Sequence, residues 1–203
     1  MTYASGPTRQ FFTTAPARRL KLSRLDNPRS MKPIHGPWLA AGLLLTACAP
    51  ALDWREVRLA DSTLSAYFPC KPEHQARQVR LGAQAVRMVL YACTADNTTW
   101  ALALADTADP ALVATALAEL RASAQRNMGA ATVQVLQLDV EGATPNPQAQ
   151  RVAFAGHMPD GRAVSEHLAV FAKGTVVFQA TVLGESLALP AADTFFASLR
   201  FAP

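Results

Sequence analysis

The apolar pattern of this chain changes period twice, and that order limits the folds open to it. Between residues 54 and 105 apolar residues come in short β-prone runs: Trp54 to Leu59, Leu64 to Phe68, Gln75 to Leu81, Gln84 to Thr94 and Trp100 to Ala105. The polar pair Asp61-Ser62 joins the first two runs, and Gly82 separates the third and fourth as a hairpin turn would. From Pro110 to Asn127 the spacing is helical, with Leu112, Val113, Ala116, Leu117 and Leu120 on one face. Asp109 suits the cap of this segment, Pro110 its first position, and Gly129 lies near its stop. Strand-type runs resume at Thr132 to Leu138, Gln150 to His157, Ala163 to Phe171 and Thr175 to Leu183, with turns at Pro159-Asp160-Gly161 and Lys173-Gly174. A last short helix begins at Pro190 and continues through Leu199. This is an α+β order, an antiparallel sheet packed with one long and one short helix.

Charge divides the chain at a different place. Residues 1–47 carry seven Lys/Arg and one acid, Asp26, whereas residues 48–203 carry twelve basic and fourteen acidic side chains. The larger segment is therefore slightly acidic, and composition gives no support to a nucleic-acid partner. Met31 and Lys32 are followed by the apolar run Trp38 to Ala47, which Pro37 limits on one side and Pro50 and Asp53 close on the other. A spanning helix needs roughly 20 apolar residues, so this run reads as a secretory signal rather than a membrane span.

At its end stands Leu45-Thr46-Ala47-Cys48, which resembles the lipobox of bacterial lipoproteins. That resemblance implies cleavage before Cys48, diacylglycerol on its sulfur and acylation of the new amino terminus. Two or more acyl chains anchor a protein durably where one does not. In such proteins an Asp after the Cys tends to retain them in the inner membrane. Ala49 stands there instead, so the resemblance implies the periplasmic face of the outer membrane. The expected organisation is a leader over residues 1–47, a lipidated tether over 48–53 and a single domain over 54–203. Within the leader, residues 1–30 are an extension ahead of the signal, and the true start is either Met1 or Met31.

The domain itself resembles a second family at two places. Tyr67-Phe68-Pro69 followed by Lys71-Pro72 is similar to the entry segment of PsbP-like domains, and Phe195-Phe196-Ala197-Ser198-Leu199-Arg200 to their closing segment. The resemblance spans about residues 54–201 and implies an α/β/α sandwich. Characterised members of that family mostly bind other proteins and share no catalytic motif.

The remaining chemistry is sparse. Cys70 and Cys93 are the cysteines left after lipidation, and in an oxidising periplasm they are expected either to bridge or to sit as two buried thiols. His157 and His167 flank the Asp160-Gly161 turn. With those two residues at the turn centre, His157 lies opposite Val164 and His167 opposite Phe154, which puts the imidazoles on opposite faces and disfavours a shared metal. Glu166 then shares the face of His157 as a solvated neighbour. Ser165 and His167 share a face and are the only candidates for nucleophilic catalysis, but no acid partner and no Gly-x-Ser-x-Gly elbow accompany them. Trp54, Tyr67, Tyr91 and Trp100 are expected in the core, and Arg121 and Arg126 on a solvated helix face. The sequence therefore predicts a membrane-anchored lipoprotein acting as a non-catalytic binding or accessory module for an envelope protein, with no cofactor and no metal. The alternatives are a carrier of a hydrophobic ligand between sheet and helix, or a small hydrolase using Ser165 and His167.

Overall fold

A computed structural model describes residues 51–202, apart from Asp61, Ala83 and Ala131. The leader and Cys48 lie outside the described residues. Two strands open the described chain, β1 (Arg55–Arg58) and β2 (Leu64–Phe68), and three follow as a meander: β3 (Glu73–Leu81), β4 (Gln84–Ala95) and β5 (Thr98–Asp106). Helix α1 (Val113–Asn127) leads to β6 (Gln134–Leu136), β7 (Gln150–His157), β8 (Ala163–Lys173) and β9 (Val176–Gly184). Helix α2 (Leu189–Ala197) and the two-residue β10 (Arg200–Phe201) end it. The architecture is α+β and mostly antiparallel sheet.

The strands form two sheets, where the sequence suggested one. Seven strands in the order β3-β4-β5-β9-β8-β7-β6 make the larger sheet, and β1-β2-β10 the smaller. The large sheet consists of two meanders that meet at the antiparallel β5–β9 pair. Its α1 connection carries the chain from β5, beside the middle of the sheet, to β6 at the far edge. Strand β5 lies inside the sheet with apolar layers on both faces, which is why its sequence alternates only weakly.

One face of this sheet packs on α1. Leu117, Leu120 and Ala124 of the helix meet Phe154, Leu168, Val170 and Val177 of the sheet. Each fully buried leucine here contributes about 2 kcal/mol relative to an exposed one. The other face packs on the small sheet and α2, around Trp100, Phe68, Phe171, Phe178 and Phe195. Tyr67 is a correction to the expected aromatic core. It alternates outward from Leu64, Ala66 and Phe68, is 38% exposed, and lies under the Arg200 guanidinium.

Helix α1 starts and stops as its sequence signals. Asp109 Oδ1 accepts the Ala111 N–H, and Pro110–Leu112 form a 3-10 turn that runs into the helix. At the other end Ala130 N–H donates to Gln125 O and Gly129 N–H to Arg126 O, the paired bonds of a Schellman stop. The helix end then closes on β7, where His157 N–H donates to Met128 O at 3.0 Å. Only glycine fits beneath it: a Cβ on Gly156 would stand 2.1 Å from that same oxygen. Arg121 departs from the solvated role expected of it. It donates to Gln150 Oε1 at 2.8 Å and to the Gln148 carbonyl at 3.4 Å, tying α1 to the segment entering β7, while Arg126 stays exposed beside Glu119.

Candidate functional site

The β7–β8 hairpin carries most of the candidate chemistry, and its loop sets which side chains meet. The loop is one residue longer than a two-residue turn. Met158 N–H donates to Arg162 O and Gly161 N–H to Met158 O, so Pro159, Asp160 and Gly161 are all loop residues. Gly161 takes φ +87°, the left-handed position that a three-residue loop of this kind requires. Pairing therefore shifts by one from the expected register: His157 lies opposite Ala163, Ala153 opposite His167, and Phe154 opposite Glu166.

That shift corrects three expectations together. His157 and His167 now share a face, but they stand four residues apart along the sheet, about 13 Å at the rise of a strand. Their separation, and not opposed faces, keeps them from sharing an ion. Among the described residues no three His, Cys, Asp or Glu side chains are grouped to hold a metal. Glu166 leaves the face of His157 altogether and turns inward beneath α1, where it is 6% exposed.

On the α2 side, His167 belongs to a cluster centred on Arg151. The Arg151 side chain is 11% exposed, its guanidinium lies 4.2 Å from the centre of the Phe196 ring, and Nη2 donates to Asp193 Oδ1 at 2.6 Å. The same Nη2 lies 3.4 Å from His167 Nδ1. Burial lowers the imidazole's pKa below its ordinary 6.5 and the Arg151 charge adds to this, while Asp193 acts in the opposite sense. Arginine only donates, so His167 Nδ1 is the acceptor and the neutral ring carries its proton on Nε2. This is the reverse of a catalytic triad, in which a carboxylate takes the N–H and leaves the other nitrogen free to accept a proton. Ser165 shares the face of His167, and among the described residues no hydrogen bond joins the two. The cluster's evident work is to hold α2 on the sheet. Its Arg151 Nε is buried without a partner.

On the α1 side, Glu166 is flanked by Phe154 on β7 and Leu183 on β9. Loss of water raises its pKa against the lowering pull of the hydrogen bond from the Thr181 hydroxyl, and the net result is a shift from 4.5 to about 7. Its neighbours Val164 and Leu183 floor an open cup of 820 Å³ at the hairpin tips, with Arg162, Glu185 and Asp96 on the wall. The sequence held a signal for this residue. Val164, Leu168 and Val170 are apolar at period two, and Glu166 occupies the same phase.

Cys70 and Cys93 are bonded, with Cα atoms 6.0 Å apart, which joins the segment entering β3 to the far end of β4. A cleft of 250 Å³ lies between α1 and the β3–β4 hairpin. No protein-family model matches the chain, and no curated protein sequence is significantly similar to it.

Proposed function

We propose that this chain is a lipoprotein held at the periplasmic face of the outer membrane through acyl groups on Cys48. Its β-rich domain, of PsbP-like α/β/α type, serves as a non-catalytic binding or accessory module for another envelope protein. The observation that carries the reading is the Cys70–Cys93 bond. Stable disulfides belong to oxidising compartments, the periplasm among them. The bond also leaves Cys48 as the one cysteine of three outside it, at the position where the lipobox pattern needs a thiol. In this reading the attachment to the membrane is the lipid on Cys48; among the described residues no helix is long and apolar enough to cross a membrane. A binding role also agrees with the polar clusters, whose hydrogen bonds tie elements of the fold together and do not converge on an open reaction centre.

Crosslinking in intact envelopes, followed by purification of the full chain and identification of its adducts, tests this reading. The proposal expects one envelope protein to be recovered at a fixed ratio, and to be lost when Cys48→Ser releases the chain from the membrane. Recovery of no protein above background, or an undiminished adduct in Cys48→Ser, overturns it.

A further inference from the structure

The large sheet ends in two unlike edges. At one, β6 is only three residues long. At the other, β3 runs for nine residues, Glu73 to Leu81, in unbroken register with β4 and without a proline or a bulge. Glu73 to Gln78 are all exposed, so this part of the strand has no covering layer on either face. Its main chain pairs with β4 on one side and with no described strand on the other. Native sheets shorten, twist or cover such an edge, because its free N–H and C=O groups accept another strand.

Charge is the remaining guard, and it acts only in registers that set like charges opposite one another. Glu73, Gln75 and Arg77 lie on the α1 face of β3 with Val79 and Leu81, whereas His74, Ala76, Gln78 and Arg80 lie on the other. Neither Glu73 nor Arg77 has an ion-pair partner among the described residues. Two copies that meet along this edge about a two-fold axis normal to the sheet run antiparallel and keep α1 on the same side. Odd residues then face odd ones, and even face even. Centring on Arg77 sets that cation against itself, and centring on Ala76 puts Glu73 opposite Val79 and Arg77 opposite Gln75. Centring on Gln75 sets Glu73 opposite Arg77 twice, once on each side of the axis. The other cations then meet no like charge head on, since Lys71 faces Val79 and Arg80 faces Cys70.

We propose that the free edge of β3 pairs with the same edge of a second copy of this chain, antiparallel and centred on Gln75. Main-chain hydrogen bonds hold the two strands, and the two Glu73–Arg77 pairs fix the register. The contact is small, so the dimer belongs to the weak, exchanging class of interface. The proposal does not rest on the lipid anchor or on the envelope partner.

Cysteine trapping tests it. In the full chain with Cys48→Ser, Cys70 and Cys93 are bonded to each other, so an introduced cysteine is the one free thiol. Gln75→Cys places two thiols across the axis, with Cβ atoms about 5 Å apart. Gln78→Cys is equally exposed but stands about 20 Å from its own copy at the rise of a strand. Copper-phenanthroline oxidation should give a covalent dimer with Gln75→Cys and little with Gln78→Cys. Glu73→Lys turns both ion pairs into like-charge pairs and should weaken association by about tenfold or more, read by sedimentation equilibrium without the added cysteine. Arg77→Glu should do the same, and the exchange Glu73→Arg with Arg77→Glu should restore the dimer. A parent chain that stays monomeric at every concentration overturns the proposal, as does equal trapping at the two cysteines. So does a dimer that either charge reversal leaves unchanged or that the exchange fails to restore. Binding of a monomer to phosphatidylglycerol vesicles, lost in Arg77→Glu, would assign the edge to an anionic membrane and overturn it too.

Discussion

Glu166→Gln removes the only buried carboxyl among the described residues, and its effect on stability should depend on pH in a direction fixed by linkage. In the unfolded chain the carboxyl ionises near 4.5, and in the folded protein near 7. Between those values the folded protein holds a proton that the unfolded chain has released, so rising pH favours unfolding. The contribution is fully present below about pH 4.5 and is lost as the pH rises through about 7. At about 1.4 kcal/mol per pH unit, the loss above pH 7 comes to about 3 kcal/mol. Glutamine stays neutral throughout and escapes that loss, although its extra amide hydrogens cost about 1–2 kcal/mol at every pH if left without acceptors. The lowered pKa of His167 acts in the opposite sense, its contribution being lost as pH falls, but it does so in both proteins and cancels in their difference. Urea unfolding of the two proteins at about pH 5 and about pH 8.5 measures the effect. The variant should gain about 2–3 kcal/mol on the parent between the two conditions. A difference that is the same at both would mean that Glu166 titrates as an ordinary carboxyl, and the burial argument would fail.

Other substitutions probe the packing that surrounds the candidate sites. Gly156→Val should destabilise by more than about 3 kcal/mol or prevent folding, because its Cβ meets the Met128 carbonyl; a melting temperature within a few degrees of the parent refutes the close approach. Cys70→Ser with Cys93→Ser should cost about 3 kcal/mol in chemical denaturation, since the bond spans 23 residues of sequence. An unchanged midpoint would show that the unfolded chain gains nothing from the missing link. Asp193→Asn should cost under about 1 kcal/mol, its carboxylate being 66% exposed, whereas Arg151→Ala should cost clearly more by losing the stack on Phe196. Equal losses in thermal melts would contradict that ranking.

Local signals in the sequence were sufficient wherever the structure is local. The span of α1, its Asp109 cap and its stop at Gly129 follow from spacing and from side chains within a turn of each end. Strands β2 and β7 begin and end where their apolar runs do. What escaped depends on distant partners. The small sheet is completed by Arg200 and Phe201, a two-residue strand that pairs with Ser65 and Leu64 from the other end of the chain. Nothing within so short a segment distinguishes it from the end of α2. The fate of Glu166 turned on whether Pro159-Asp160-Gly161 supplies two loop residues or three, because a one-residue change in register exchanges the faces of every side chain beyond it. Arg121 looked solvated because its partners, Gln148 and Gln150, lie across a long excursion of the chain.

The central claim, a lipid anchor at Cys48 on a disulfide-bonded domain, is tested most directly by intact-mass analysis of the chain extracted from membranes, beside its Cys48→Ser variant. The account predicts a mature protein that begins at Cys48 and carries diacylglycerol with a further acyl group, all lost in the variant. It also predicts a mass lower than the fully reduced form by one pair of hydrogens, for the Cys70–Cys93 bond. A chain without lipid that retains residues 1–30 would contradict the anchor, the compartment and the envelope role together.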